Sequence, residues 1–215
     1  MITEPATTIT DYVLGGVSLA WGRTVWRQAR IDEVSAGRWW AIGFFAIALA
    51  ALAGGTVHGF RGPLGPGWEA VLWKVSLFAV GAFAFAALMT AIAGGASRRW
   101  RPLLASIVVV ALVGYVAWVA GNPEFRYASA ASAVGLGVLL AQQGVGWIRN
   151  RIPSAPLIAT GVVAAAVGAV IQQAGLEPHP RFNHNDVFHV IQIGSSYVFY
   201  RGGLLLTDRN GVRIA

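Results

Sequence analysis

The chain has 215 residues, of which 56% are hydrophobic and 12% charged, with a formal net charge of +7 and no cysteine. Soluble domains carry about 25% charged residues, so this is the composition of an integral membrane protein. The lack of cysteine excludes disulfides, thiolate catalysis and cysteine-ligated metal or iron–sulfur sites, and the positive charge lies in arginines beside apolar segments, which marks membrane topology and not a nucleic-acid surface.

Met1 to Thr10 is polar and has no basic leader or cleavage motif, so no removable signal peptide is expected. Seven apolar segments follow, over Ile9–Trp26, Trp39–Phe60, Trp68–Ala96, Pro102–Gly121, Phe125–Ile148, Ala155–Gly175 and Asn185–Thr207. Most reach the roughly 20 residues that cross a bilayer as a helix. The first is the weakest, short and interrupted by Gly15, Gly16 and Arg23. Strand-like alternation is absent and the runs are too long for barrel strands. With no repeat, low-complexity linker or second domain, residues 1–215 read as one all-α bundle of seven transmembrane helices.

Orientation follows from the loops. Arg23, Arg27, Arg30 and Arg38 surround the first, Arg98, Arg99 and Arg101 the third, and Arg149 and Arg151 the fifth. Arg201, Arg209 and Arg213 mark the C-terminal end, so these residues make 12 of the 16 basic side chains. The positive-inside rule makes that side cytoplasmic, with the N-terminus outside. A bacterial-type inner membrane is the expected location. The opposite side collects all four histidines, His58, His179, His184 and His189, together with Glu4, Asp11, Glu69, Glu124, Glu177 and Asp186.

Two stretches concentrate this chemistry. His58 closes the second segment in Gly54-Gly-Thr-Val-His-Gly-Phe60, whose glycines let a neighbouring helix come close; a histidine snorkelling at the interface is the plainer account. In the seventh segment, Asn185, His189, Gln192 and Ser196 share a helical face, with Asp186 and Ser195 at its margin. Polar groups on so apolar a helix must face protein or trapped water. Capping explains Asn183 or Asn185 and Asp186 but not His189 and Gln192, deeper in the span. An acid-x-x-His pair on one face is a common way to hold a metal in a bundle, and a catalytic zinc keeps three protein ligands and a water. Lys74 lies inside the third segment and needs a carboxylate, Asp11 or Asp186, or a water-filled cavity; an ion pair and a contact to a substrate head group are its two readings.

The whole arrangement resembles the alkaline ceramidase, adiponectin-receptor and haemolysin III superfamily of seven-span membrane hydrolases. The resemblance rests on His58 at the end of the second span and His189 in the seventh. It implies a zinc held by one histidine of helix two and two of helix seven, whose bound water attacks a lipid amide. Asn185 stands where the first helix-seven histidine is expected, which leaves His184 or Asp186 as the third ligand beside His58 and His189. Gly54 stands at the expected serine, with Thr56 the nearest hydroxyl, and Glu69 replaces an aspartate in the third span.

The sequence is therefore read as a zinc-dependent hydrolase of a lipid-like amide or ester, with its site near the outer, periplasmic face. Asp186 or Glu69 serves as general base, and Lys74, Asp11, Asn185 and Gln192 contact an amphipathic substrate. A non-enzymatic receptor or accessory membrane subunit, and a proton- or ion-coupled transporter using Lys74, Asp11 and the histidines, are the alternatives.

Overall fold

The structure, a computed structural model, describes residues 2–179 and 182–209; Arg181, Arg213 and Ala215 lie outside the described residues. The described residues form six helices, α1 (Pro5–Ile31), α2 (Ser35–Gly95), α3 (Arg101–Gly121), α4 (Phe125–Asn150), α5 (Ser154–Gln173) and α6 (His184–Gly203). Among the described residues there is no strand, only an isolated bridge between His179 and Phe182.

At 61 residues and 1.5 Å per residue, α2 would be about 90 Å long if straight, three times the apolar thickness of a bilayer. It is not straight. The run Gly62-Pro-Leu-Gly-Pro-Gly67 breaks it, with non-helical backbone at Phe60 and at Gly65. Gly65 has φ +70, a conformation that a side chain disfavours, and Pro66 excludes the helical conformation for the residue before it. The arms, 35–59 and 66–95, fold back on each other. Ser76 Oγ donates to the Ala50 carbonyl at 2.9 Å, and Thr90 Oγ1 lies 3.5 Å from the Ala36 carbonyl. The second and third expected segments are these two arms, and the loop between them is a broken helix.

Short links elsewhere force consecutive helices antiparallel. At one end lie residues 32–34, 96–100 and 151–153, with the arginines. Val34 has no side chain able to cap α2, and Asp208 does so from across the bundle, accepting from Ser35 N at 3.1 Å and Ala36 N at 2.8 Å. Arginines close the other α2 terminus, Arg101 donating to the Ala93 carbonyl at 2.7 Å and Arg209 to that of Gly95 at 2.8 Å. Cations are favoured there by the helix dipole. At the opposite end lie the start of α1, the break in α2 and the long α5–α6 link.

The core packs the first arm of α2 against α6. Trp40 meets Phe199 edge-on, centroids 5.3 Å apart, and its indole donates to the Phe199 carbonyl at 3.0 Å. Four helices, α2 to α5, are long and apolar enough to cross a membrane. The outer helix α3 exposes Ile107, Val110 and Val113, a surface suited to lipid and not to water. The described α1 and α6 fall short of that hydropathy because they carry the buried polar residues.

Candidate functional site

Helix α1 buries Thr7, Asp11, Leu14, Ser18, Gly22, Val25 and Ala29, a stripe spaced by threes and fours. Helix α6 buries Asp186, His189, Ser196, Phe199 and Gly203. The seventh-segment stripe is thus turned slightly from its sequence position. Asp186 is central, whereas Asn185 and Gln192 flank it half-buried. Glycines on the first arm of α2 allow α1 to approach. A Cβ at Gly55 would lie 2.7 Å from the Asp11 Cβ, and one at Gly59 would lie 2.7 Å from Thr8 Oγ1. Gly55 and Gly59 are four apart, the small-xxx-small spacing of close membrane helix pairs.

Three contacts join these elements. Thr7 donates to Asp186 Oδ1 at 2.7 Å. Asp186 Oδ2 accepts from the Asn183 backbone at 2.7 Å, completing a capping box at the start of α6. His189 is held on both sides, Nδ1 lying 3.2 Å from Thr10 Oγ1 and Nε2 lying 3.3 Å from Asp11 Oδ1. The third histidine of interest, His58, places Nδ1 3.1 Å from Glu4 Oε2 and sets its ring edge-on to Trp73. Glu4 and Asp186 lie within electrostatic reach of Asp11, as His58 does of His189.

Thr10 Oγ1 is 3.0 Å from both the Ala6 and the Thr7 carbonyl and 3.2 Å from His189 Nδ1, so its single proton goes either to a carbonyl or to the ring. His189 Nε2 correspondingly either donates to Asp11 Oδ1 at 3.3 Å or meets it through a shared proton or a metal ion. Asp11 is only 4% exposed and His189 8%, so the contact is shielded from bulk water.

The remaining expected site residues go elsewhere. His184 Nδ1 lies 3.3 Å from Glu177 in the α5–α6 link, and Glu69 pairs with Arg61 at 3.0 Å across the break in α2. Asn185 accepts from Gln172 at 3.0 Å, and Gln192 accepts from Ser195, a neighbour on its own helix. Lys74 is half-buried and makes no ion pair among the described residues. Thr56 bonds to Tyr12 and to the Leu52 carbonyl. Ser76 is the hydroxyl beside Gly54, where an added Cβ would lie 3.4 Å from its oxygen and 3.8 Å from Asp11 Oδ2. Glu4, Thr7, Thr10 and Ser76 did not emerge from the sequence as site residues.

A model of the family of unknown function DUF6962 matches residues 6–208, nearly the whole chain and every residue of this centre except Glu4. The chain belongs to that family. No curated protein and no solved structure matches it. Within this DUF6962 chain, zinc can be tested against the donors at the centre. Asp11 Oδ1, His189 Nε2 and His58 Nε2 are the oxygen and nitrogen donors that zinc accepts. Thr10 and Glu4 hold the other nitrogen of each ring, as outer partners of metal-binding histidines do. Ligand atoms about 2.0–2.1 Å from a tetrahedral ion lie about 3.3–3.4 Å apart, which the Asp11–His189 distance of 3.3 Å matches. No three His, Asp or Glu side chains converge as a finished metal site among the described residues. Of these three side chains, Asp11 and His189 are the pair in direct contact among the described residues.

Proposed function

We propose that the chain is a membrane-embedded, metal-dependent hydrolase of a lipid-like amide or ester, with Asp11, His189 and His58 as the metal ligands. The observation that carries the reading is the buried contact between Asp11 Oδ1 and His189 Nε2, 3.3 Å apart. Asp11 takes the third-ligand place that the sequence left between His184 and Asp186. Bound there, zinc would supply a water acidified to near neutrality and a Lewis acid for the scissile carbonyl. Thr10 holds the Nδ1 side of His189, Glu4 orients His58, and Thr7 with Asp186 holds α1 against α6.

We further infer seven crossings, the two arms of α2 counting separately, with the N-terminus outside and the arginine-rich end in the cytoplasm of a bacterial-type cell. The site then opens toward the outer face.

Purified protein loaded with zinc and desalted should retain about one equivalent. Asp11→Asn and His189→Ala should retain none while keeping their helical circular dichroism. Wild-type protein that holds no zinc stoichiometrically sinks the hydrolase reading. The direct contact between Asp11 and His189 favours a second reading in that case: a shared proton bridges the pair, as in a proton-coupled transporter. Asp11→Asn would then abolish proton-coupled uptake with metal content at zero throughout.

A further inference from the structure

A cavity lies away from the acid–histidine centre, at the arginine-rich end. Its volume is about 670 Å³, within the roughly 300–1,000 Å³ of ligand sites. It exists because α3 and α4 meet at only one end. There, Trp118 packs edge-on against Tyr127, and Trp73 of α2 donates to the Pro123 carbonyl in the link between the two helices. Toward the other end they part, and the second arm of α2 forms the floor, with Gly94, Gly95 and Ala96 keeping it low. The walls are Leu88 and Ile92 from α2, Leu104 and Ile107 from α3, and Val138 and Val145 from α4. Ile107, Val138 and Val145 are 55%, 46% and 50% exposed, so the cleft opens sideways where apolar helices meet lipid.

The mouth is cationic. Arg149 makes no ion pair among the described residues, and Arg209 uses one of its five N–H groups on the Gly95 carbonyl. The carboxylate at the mouth, Asp208, is turned to the Ser35 and Ala36 amides at the start of α2, and its single negative charge leaves the two arginines in net excess. The outcome is an apolar slot closed by two guanidinium groups, which bind phosphate through paired donors.

We propose that this cleft binds an anionic phospholipid, one acyl chain lying between α3 and α4 and the headgroup phosphate held by Arg149 and Arg209. A zwitterionic lipid offers the same chain but carries an ammonium group that the two arginines repel. Each arginine near an anionic headgroup contributes about a fivefold preference, so the pair discriminates roughly twentyfold.

The test titrates delipidated full-length protein in detergent with phosphatidylglycerol and phosphatidylcholine of identical chains, counting retained lipid by native mass spectrometry. Phosphatidylglycerol should be retained roughly twentyfold better, and Arg149→Gln with Arg209→Gln should bring the ratio to near one. Val138→Trp, at an exposed wall position, should lower retention of both lipids with unchanged helical content. Equal retention by the wild type, or a preference that survives the double substitution, overturns the proposal. Inorganic phosphate that competes fully while Val138→Trp has no effect makes this a free-anion site and overturns it too. A photoreactive acyl-chain phosphatidylglycerol on the wild type keeps the test independent of variant folding. Labels concentrated at Ile107, Val138 and Val145 support the cleft, and labels spread equally to Val110 and Val163 mean annular lipid only.

Discussion

A single hydroxyl, that of Thr10, holds the Nδ1 side of His189 and so keeps Nε2 toward Asp11. Thr10→Val removes that partner and lets the imidazole turn. Loss of such an outer partner weakens metal binding by about 10–100-fold. One polar contact between membrane helices contributes only about 0.6 kcal/mol to stability, so the melting temperature should barely move. Zinc affinity by competition with a chelator, beside the melting temperature, checks both halves; a large fall in stability with affinity unchanged would make Thr10 a packing residue. The histidines and Asp11 were legible in the sequence because a charged or ionisable group stands out in an apolar run. Thr7 and Thr10 did not stand out, since threonine satisfies itself on its own helix and hydropathy registers it as neutral. The count by three and four that exposed the α6 stripe finds them too when applied to Thr7, Asp11 and Ser18. His184 and Glu69 are held by local partners. Each has a partner within eight residues, Glu177 and Arg61, and a sequence does not show which neighbour claims a side chain.

Among the elements, glycine placement governs which helices meet. Gly135 of α4 sits against the backbone of the second α2 arm, where an added Cβ would lie 2.8 Å from the Ala84 carbonyl oxygen and 3.1 Å from its Cα. Backbone cannot rotate aside, so Gly135→Val should cost about 1–3 kcal/mol through overpacking. Two residues on, Gly137 has nothing within 4 Å. Gly137→Ala should stabilise by about 0.5–1 kcal/mol, the helix-propensity difference alone. Unfolding of both variants in one detergent gives the comparison, and equal effects would refute the proposed α2–α4 seam. The apolar segments over α2 to α5 were legible because length and hydropathy suffice to find them, and the boundary placed between Phe60 and Trp68 falls at the break in α2. Helix ends were less so. The first segment was bounded at Ile9 and Trp26, yet α1 runs from Pro5 to Ile31. Nothing between Trp26 and Ile31 stops a helix, and its charged residues end only the apolar run. The turn comes at Glu33, whose φ of 57 closes the link to α2.

For the whole molecule, polarity sorts the helices by position. The polar faces of α1 and α6 turn toward each other and the first arm of α2, while α3, α4 and α5 present apolar residues outward. A helix too polar to cross alone can cross beside partners that satisfy its hydroxyls and carboxylates. That makes the two helices outside the apolar set the ones that build the centre. The proposal of seven crossings puts the arginines at residues 23–38, 98–101 and 149–151 on the same side as the C-terminus, in the cytoplasm by the positive-inside rule. A reporter active only in the cytoplasm should therefore be active when fused after Ala215 and silent when inserted at residues 62–67. The break in α2 is the more telling position, since His58 lies just before it and Glu69 just after. Activity there would invert the bundle, turn the acid–histidine centre toward the cytoplasm, and set the cationic cleft in the outer leaflet. Silence at both positions would require an even number of crossings, with α6 lying along the membrane surface, where Asp11 and His189 could not both be buried as they are.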